Sequence, residues 1–166
     1  MSGSPSLDLD AEFLTRRAGL VRLALLLVDD LPTAEDVVQD AFLGLHRNRG
    51  RVRNIDSVGA YLRRAVVNNA RGVLRRRHRT RRYLPAIEVD SPGADIDLML
   101  AEEHRVVLDG VRLLPPGQRA VVTLRYWGDM SDREIAQILG TSVGGVRSQA
   151  SRALRKVRQH LEVQDG

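Results

Sequence analysis

Ser131–Gly140 reads SDREIAQILG, Thr141–Ser142 follows as TS, and Val143–Leu161 reads VGGVRSQASRALRKVRQHL. Ser131 followed by Glu134 predicts a capping box: the serine oxygen accepts from one orphan backbone N–H and the glutamate accepts from another. Ile135, Ile138 and Leu139 then fall on one helical face. Gly140 stands where a helix end needs a left-handed residue, and Ser142 where the next helix needs an N-cap. In that next helix Val146, Ala150, Ala153, Leu154, Val157 and Leu161 form one apolar stripe. Arg147, Gln149, Arg152, Arg155, Lys156 and Arg158 occupy the rest, and no acidic residue lies between Val143 and Leu161. A short capped helix, a turn containing glycine and a longer helix of one charge sign make a helix-turn-helix. A plain helical hairpin with a solvated basic face would explain the charge, but not the cap, the turn and the single sign together.

Within such a motif the first turns of the second helix reach base edges in the major groove. Arg147, Ser148, Gln149, Ser151 and Arg152 occupy those turns, with Ser142 at the cap. Arginine reads guanine and glutamine reads adenine, each contributing about 1–3 kcal/mol of discrimination. Arg155, Lys156 and Arg158 lie further along, where phosphate contacts give affinity without sequence information.

The chain has 166 residues, enough for one larger domain or two small ones. Aromatics make up only 4% of it, so the cores must be built from Leu, Val, Ile and Ala. The net charge is +5, a balance that suits nucleic acid, an anionic membrane or an acidic protein partner. Cysteine is absent, which excludes disulfides, thiolate metal sites and a cysteine nucleophile. The N-terminus MSGSPSLDLDAEF lacks the basic and apolar blocks of a signal peptide. The longest apolar run, Leu23–Val28, is far too short to span a bilayer. A cytoplasmic protein without membrane insertion is expected.

Residues 1–9 read as a disordered tail. A first helix is expected over Asp10–Asp29, with Phe13, Leu14, Leu20, Val21, Ala24, Leu25 and Val28 as its core face. Asp29-Asp30-Leu31-Pro32 should break it. Thr33 should cap a second helix, with Asp36 favouring its positive end. There Val37, Val38, Ala41, Phe42 and Leu45 face inward, while Glu35, Asp36, Gln39 and Asp40 project on the other side with Leu43 nearby. Arg47–Asn54 (RNRGRVRN) is a basic loop. Asp56 or Ser57 should cap a third long helix with an apolar stripe of Leu62, Val66, Val73 and Leu74. Arg64, Asn68, Arg71 and Arg75 stand on another face of it. From Tyr61 to Arg82 there are nine Arg and no acid.

Residues 83–97 (YLPAIEVDSPGADID) change character, with two Pro, four acids and no base, and read as a linker. A helix from about Asp97 to Leu113, with Leu100, Val107, Val111 and Leu114 spaced for burial, is stopped by Pro115-Pro116. A short helix over Gln118–Trp127, with Val121 and Leu124 inward, follows before the helix-turn-helix. No strand pattern emerges. The fold class is all-α, with two small helical domains at residues 10–82 and 98–162, a flexible linker at 83–97 and a tail at 163–166. The N-terminal Arg face has no turn-helix partner but does have an Arg- and Asn-rich loop beside it. That pairing suits a duplex edge held by the helix while the loop binds an exposed base.

The segments AEDVVQDAF (Ala34–Phe42), YLRRAVVNNARGVLRRRHR (Tyr61–Arg79) and LPPGQRAVVTLRYWGDMSDREIAQILGTSVGGVRSQASRALRKVR (Leu114–Arg158), in that order, resemble an extracytoplasmic-function (ECF) sigma factor of bacterial RNA polymerase. Its Arg- and Ala-rich texture is similar to that of actinobacterial members. The resemblance implies that residues 10–82 are family region 2 and residues 98–162 region 4. Glu35, Asp36, Gln39, Asp40 and Leu43 would dock on core RNA polymerase. Arg49, Arg51, Arg53 and Asn54 of the loop, with Arg64, Asn68, Arg71 and Arg75 of the next helix, would bind the −10 element, capturing a flipped non-template base. Ser142, Arg147, Ser148, Gln149, Ser151, Arg152, Arg155 and Lys156 would bind the −35 element. The linker would pass through the polymerase channel. An anti-sigma factor is an expected partner, and the free protein should be a monomer. Four positions depart from the family pattern: His46 stands where Trp is frequent, Gly72 where a polar residue is common, and Gly145 and Gln149 where Thr and a basic residue are frequent.

Two other readings compete. A stand-alone helix-turn-helix regulator would leave the acidic second helix and the N-terminal Arg helix without a role. An enzyme acting on nucleic acid would need clustered ligands or an acid–base pair. His46, His78, His104 and His160 are instead dispersed, the paired aspartates sit where capping is the simpler role, and no phosphate loop follows a strand. No catalytic residue, metal or cofactor is therefore expected.

Overall fold

The computed structural model describes the backbone of residues 7–81 and 102–166. Seven α-helices and a single 3₁₀ turn make up these residues, with no strand among them. They fall in two compact units, one before and one after residue 93. The expected linker at 83–97 lies wholly outside the described residues, as do Leu100 and residues 1–6 of the expected tail; Asp8 and Leu9 of that tail instead cap and open the first helix.

The first unit is a three-helix bundle of α1 (Leu9–Val28), α2 (Leu31–Arg47) and α3 (Ile55–Arg81). Asp8 caps α1 by accepting from the N–H groups of Asp10 and Ala11. Asp29 ends α1 in the left-handed conformation at φ 67°, and its N–H returns to the Leu25 carbonyl. The expected break is thus compressed to two residues, and the cap of α2 is Asp30, not Thr33. Thr33 donates its N–H to Asp30 Oδ1 at 3.0 Å. Leu31 and Pro32 form the first turn of α2, where the missing proline N–H costs nothing.

A similar shift occurs at α3. Asn54, not Asp56 or Ser57, accepts from the Ser57 N–H at 2.8 Å. The core gathers Leu23, Leu25, Val28, Val38, Leu45, Val58, Leu62 and Val66, all fully buried. Leu14, expected in it, is 69% exposed, and Leu74 is exposed as well: it continues the inward face of α3 that runs through Val58, Leu62, Val66, Val67 and Ala70, but full burial along α3 ends at Ala70. Phe13 stacks on Phe42 at 4.1 Å between ring centroids, tying α1 to α2.

Arg77 closes the far end of this bundle. Its guanidinium donates to the Val28 carbonyl at 2.8 Å, Asp30 Oδ2 at 2.6 Å and Thr33 Oγ1 at 2.8 Å. One side chain of α3 thereby satisfies the last turn of α1 and braces the cap of α2. Burial pushes the Asp30 pKa up, but the hydrogen bonds from Thr33 and Arg77 outweigh it and hold the carboxyl below its ordinary value.

The second unit contains α4 (Glu102–Arg112), α5 (Pro116–Tyr126), α6 (Asp132–Leu139) and α7 (Val143–Gln164). Pro116 opens α5 in its first turn, two residues ahead of the expected start. Val111, Leu114, Val122, Ala153 and Val157 form one buried cluster, with Trp127 and Leu161 packed against it. Leu108 is buried on α4, where the sequence pointed to the half-buried Val107. Gly128 lets the chain turn sharply out of α5: a Cβ there would lie 2.6 Å from the Leu124 carbonyl oxygen.

Candidate polymerase- and DNA-binding faces

The helix-turn-helix forms as the local chemistry dictates. Ser131 Oγ accepts from the Glu134 N–H at 3.2 Å, and Glu134 Oε2 accepts from the Ser131 N–H at 2.9 Å, completing the capping box. Gly140 ends α6 at φ 67°, and Ser142 Oγ accepts from the Gly145 N–H at 2.9 Å to start α7. Val146, Ala150, Ala153 and Val157 are buried along one stripe of α7. Leu154, expected on that stripe, is 38% exposed.

Opposite the stripe, Arg147, Ser148, Ser151, Arg152 and Arg155 line a shallow groove. Gln149 sits apart from these residues. It is half-buried, and a Cβ on Gly117 would lie 3.5 Å from its amide nitrogen, so the side chain leans on the start of α5. Ser142 is committed to capping, and Lys156 is exposed.

Asp132 was not singled out by its sequence pattern, yet it links three helices. Its Oδ1 accepts from Arg125 Nε at 3.1 Å and Nη2 at 2.5 Å, and its Oδ2 accepts from Arg147 Nε at 3.5 Å. The hydrogen bonds from Arg125, and behind them Arg147, hold the Asp132 carboxyl below the usual carboxylate range. Asp132 also sits at the first position of α6, where the helix dipole favours negative charge. Arg147 keeps 72% of its side chain exposed, so it is braced from behind and open in front.

On the first unit, Glu35, Asp36, Gln39 and Asp40 are all exposed along α2, and Leu43 is 42% exposed beside them. The turn of chain after α2 carries a 3₁₀ helix at Arg49–Arg51. Asn48 fixes its root by donating to the Gly44 carbonyl at 2.9 Å and the Tyr61 hydroxyl at 3.1 Å. Arg51 and Arg53 are exposed, and the side-chain oxygen of Asn54 is taken by the α3 cap. Arg64, Asn68 and Arg75 are exposed on α3, and Arg71 is half-buried. Arg71, Leu74, Arg75, His78 and Arg79 share one open face. Desolvation, with the like charge of Arg75 behind it, lowers the Arg71 pKa. An array of repelling guanidiniums of this kind gains most from an anionic partner.

Residues 14–80 match the family described as sigma-70 region 2, and residues 104–157 match sigma-70 region 4. The chain belongs to the sigma-70 family. It is 31% identical to an RNA polymerase sigma-E factor of Streptomyces avermitilis over 165 residues, which is 99% of this chain and 91% of that protein. It is 34% identical to the sigma-E factor of Streptomyces coelicolor over 154 residues, covering 91% of this chain and 84% of that one. The ECF sigma factor SigM of Mycobacterium tuberculosis is 30% identical over 92% of this chain and 76% of its own length. The fold is similar to that of the Bartonella quintana sigma factor RpoE, solved with the anti-sigma factor NepR. The TM-score is 0.67 at 21% identity, over 94% of this chain and 98% of that one. The sigma factor is thus of the ECF kind, an initiation subunit that binds core RNA polymerase and promoter DNA and directs the start of transcription. Among the described residues no helix is long and apolar enough to cross a membrane.

Proposed function

We propose a division of labour within this sigma factor, with residues 10–82 acting as region 2 and residues 98–162 as region 4. Glu35, Asp36, Gln39, Asp40 and Leu43 dock on the polymerase. Arg49, Arg51, Arg53 and Asn54 engage the opened −10 strand, while Arg64, Asn68, Arg71 and Arg75 hold the neighbouring duplex. Arg147, Ser148, Ser151, Arg152, Arg155 and Lys156 face the −35 element, with Ser142 at the helix start. Gln149 contributes to this face through its packing on α5. The chain supplies no catalytic group of its own; the polymerase makes the RNA.

The observation that carries this reading is the sorting of charge on the first unit: an exposed carboxylate side on α2 and an exposed guanidinium side on α3. One side suits a protein and the other a nucleic acid. Working in the cytoplasm as a monomer, the free protein is held by an anti-sigma factor, as the Bartonella relative is in its complex. The test is run-off transcription with core RNA polymerase on genomic fragments, alongside gel filtration. Discrete transcripts dependent on a monomeric chain support the reading. A dimer that leaves the polymerase unable to start defeats it in favour of a stand-alone regulator.

A further inference from the structure

The arginines of the loop after α2 are not equivalent. The guanidiniums of Arg51 and Arg53 are exposed and make no hydrogen bond or ion pair among the described residues, whereas Arg49 Nη2 lies 2.9 Å from His46 Nδ1. The other ring nitrogen of His46, Nε2, lies 2.9 Å from Asp10 Oδ1 in the first turn of α1. One tautomer satisfies both contacts. Arg49 donates only, so Nδ1 must accept; Asp10 accepts, so Nε2 carries the hydrogen. The ring itself is seated edge-on against Phe42, with centroids 4.7 Å apart, and Phe42 stacks on Phe13. The imidazole is therefore fixed by an aromatic pair anchored in the core through buried Phe13 and by a carboxylate on a different helix.

We propose that His46 is a positioning residue for Arg49. It holds one edge of the guanidinium so that the remaining donors are presented ready-ordered to the opened −10 strand. This rests on the reading of the loop as the −10 contact. Ordering a long side chain before binding removes part of the entropy that binding would otherwise cost. The contact is partly solvated, so its effect is that of an ordinary hydrogen bond, several-fold in affinity rather than all-or-none.

Two substitutions separate the two ring nitrogens. In His46→Asn the amide oxygen takes up roughly the place of Nδ1 and can still accept from Arg49. In His46→Gln the longer side chain reaches the place of Nε2 and can serve Asp10, but the acceptor facing Arg49 is lost. The experiment measures binding of holoenzyme to a fork-junction DNA, single-stranded on the non-template −10 strand, taken from a promoter identified by run-off transcription. A duplex −35 fragment and thermal melting serve as controls.

Arg49→Ala is expected to weaken fork binding about tenfold, His46→Gln about threefold, and His46→Asn less than about twofold. Binding to the duplex −35 fragment should not change. In the Arg49→Ala background, His46→Gln should add nothing. Unchanged fork binding by Arg49→Ala would sink the reading of the loop itself. A loss with Arg49→Ala but none with His46→Gln would overturn the positioning role alone. An equal loss for both His46 variants, or a full additional loss in the double variant, would show that His46 acts through the bundle and not through Arg49.

Discussion

Replacing Asp132 by alanine removes a single carboxylate from three helices at once. Two donors of Arg125 lose their acceptor, Arg147 loses its brace, and α6 loses a negative charge at its positive end. Hydrogen bonds to a charged group contribute about 1.5–3 kcal/mol, and the partial exposure of this one places it near the lower end. The helix-end charge adds about 0.3–1 kcal/mol. The expected loss is about 2 kcal/mol, which in a unit of this size lowers the melting temperature by about 10 °C. Trp127 is the only tryptophan of the chain and packs in the core of this unit, so its fluorescence reports this unit's unfolding.

The pH dependence follows from the depressed Asp132 pKa. A carboxylate whose folded pKa lies below its unfolded value stabilises above the unfolded value, about 3.9, and loses that contribution as pH falls through the folded one. The gap between wild type and Asp132→Ala should thus be full near neutrality and close progressively below about pH 4. A variant that melts within about 2 °C of wild type at neutral pH, or a gap that stays constant through acid, would refute the reasoning.

Gln39→Ala combined with Asp40→Ala should weaken core polymerase binding while leaving the melting curve unchanged, since both side chains are exposed; pull-down against melting separates the two. Arg147→Ala should relax preference within the −35 element, whereas Arg158→Ala should lower affinity for all sequences about equally, as competition between promoter variants would reveal. Arg77→Ala should destabilise the first unit by about 1–2 kcal/mol through its lost charged hydrogen bonds, read as faster amide exchange at the end of α1 and the start of α2.

What could be read from the sequence was local. The Ser131–Glu134 box, Gly140 and Ser142 act within four residues of themselves, and each stands where the chain said it would. The all-helical fold followed from apolar spacing alone. The misplacements were also local. Thr33 and Asp30 are both cap residues by type, with Asp the stronger, and the tolerance of a first turn for Pro32 lets the helix start at Asp30. Leu14 has a core residue's chemistry and shares a helical face with buried Val21 seven residues on, yet it is 69% exposed, since α1 is buried on nearly all sides only from Leu20 to Val28.

The unread parts were long-range. Asp132 meets Arg147 across fifteen positions, His46 meets Asp10 across thirty-six, and Arg77 meets Asp30 across forty-seven. No periodicity announces such pairs. Gln149 illustrates the same limit: its type suits adenine, but the approach of Gly117 on α5 turns it toward the protein. Side-chain chemistry narrowed what each residue can bind, and packing decided which residues are available to do so.

The most direct measurement is a hydroxyl-radical footprint of the reconstituted holoenzyme on one of its promoters. Two separate protected patches are predicted, the upstream one lost with Arg152→Ala and Arg155→Ala, the downstream one weakened with Arg64→Ala and Asn68→Ala. A single patch, or two patches that fade together whichever pair is changed, would contradict the claim that each unit of the chain holds its own stretch of DNA.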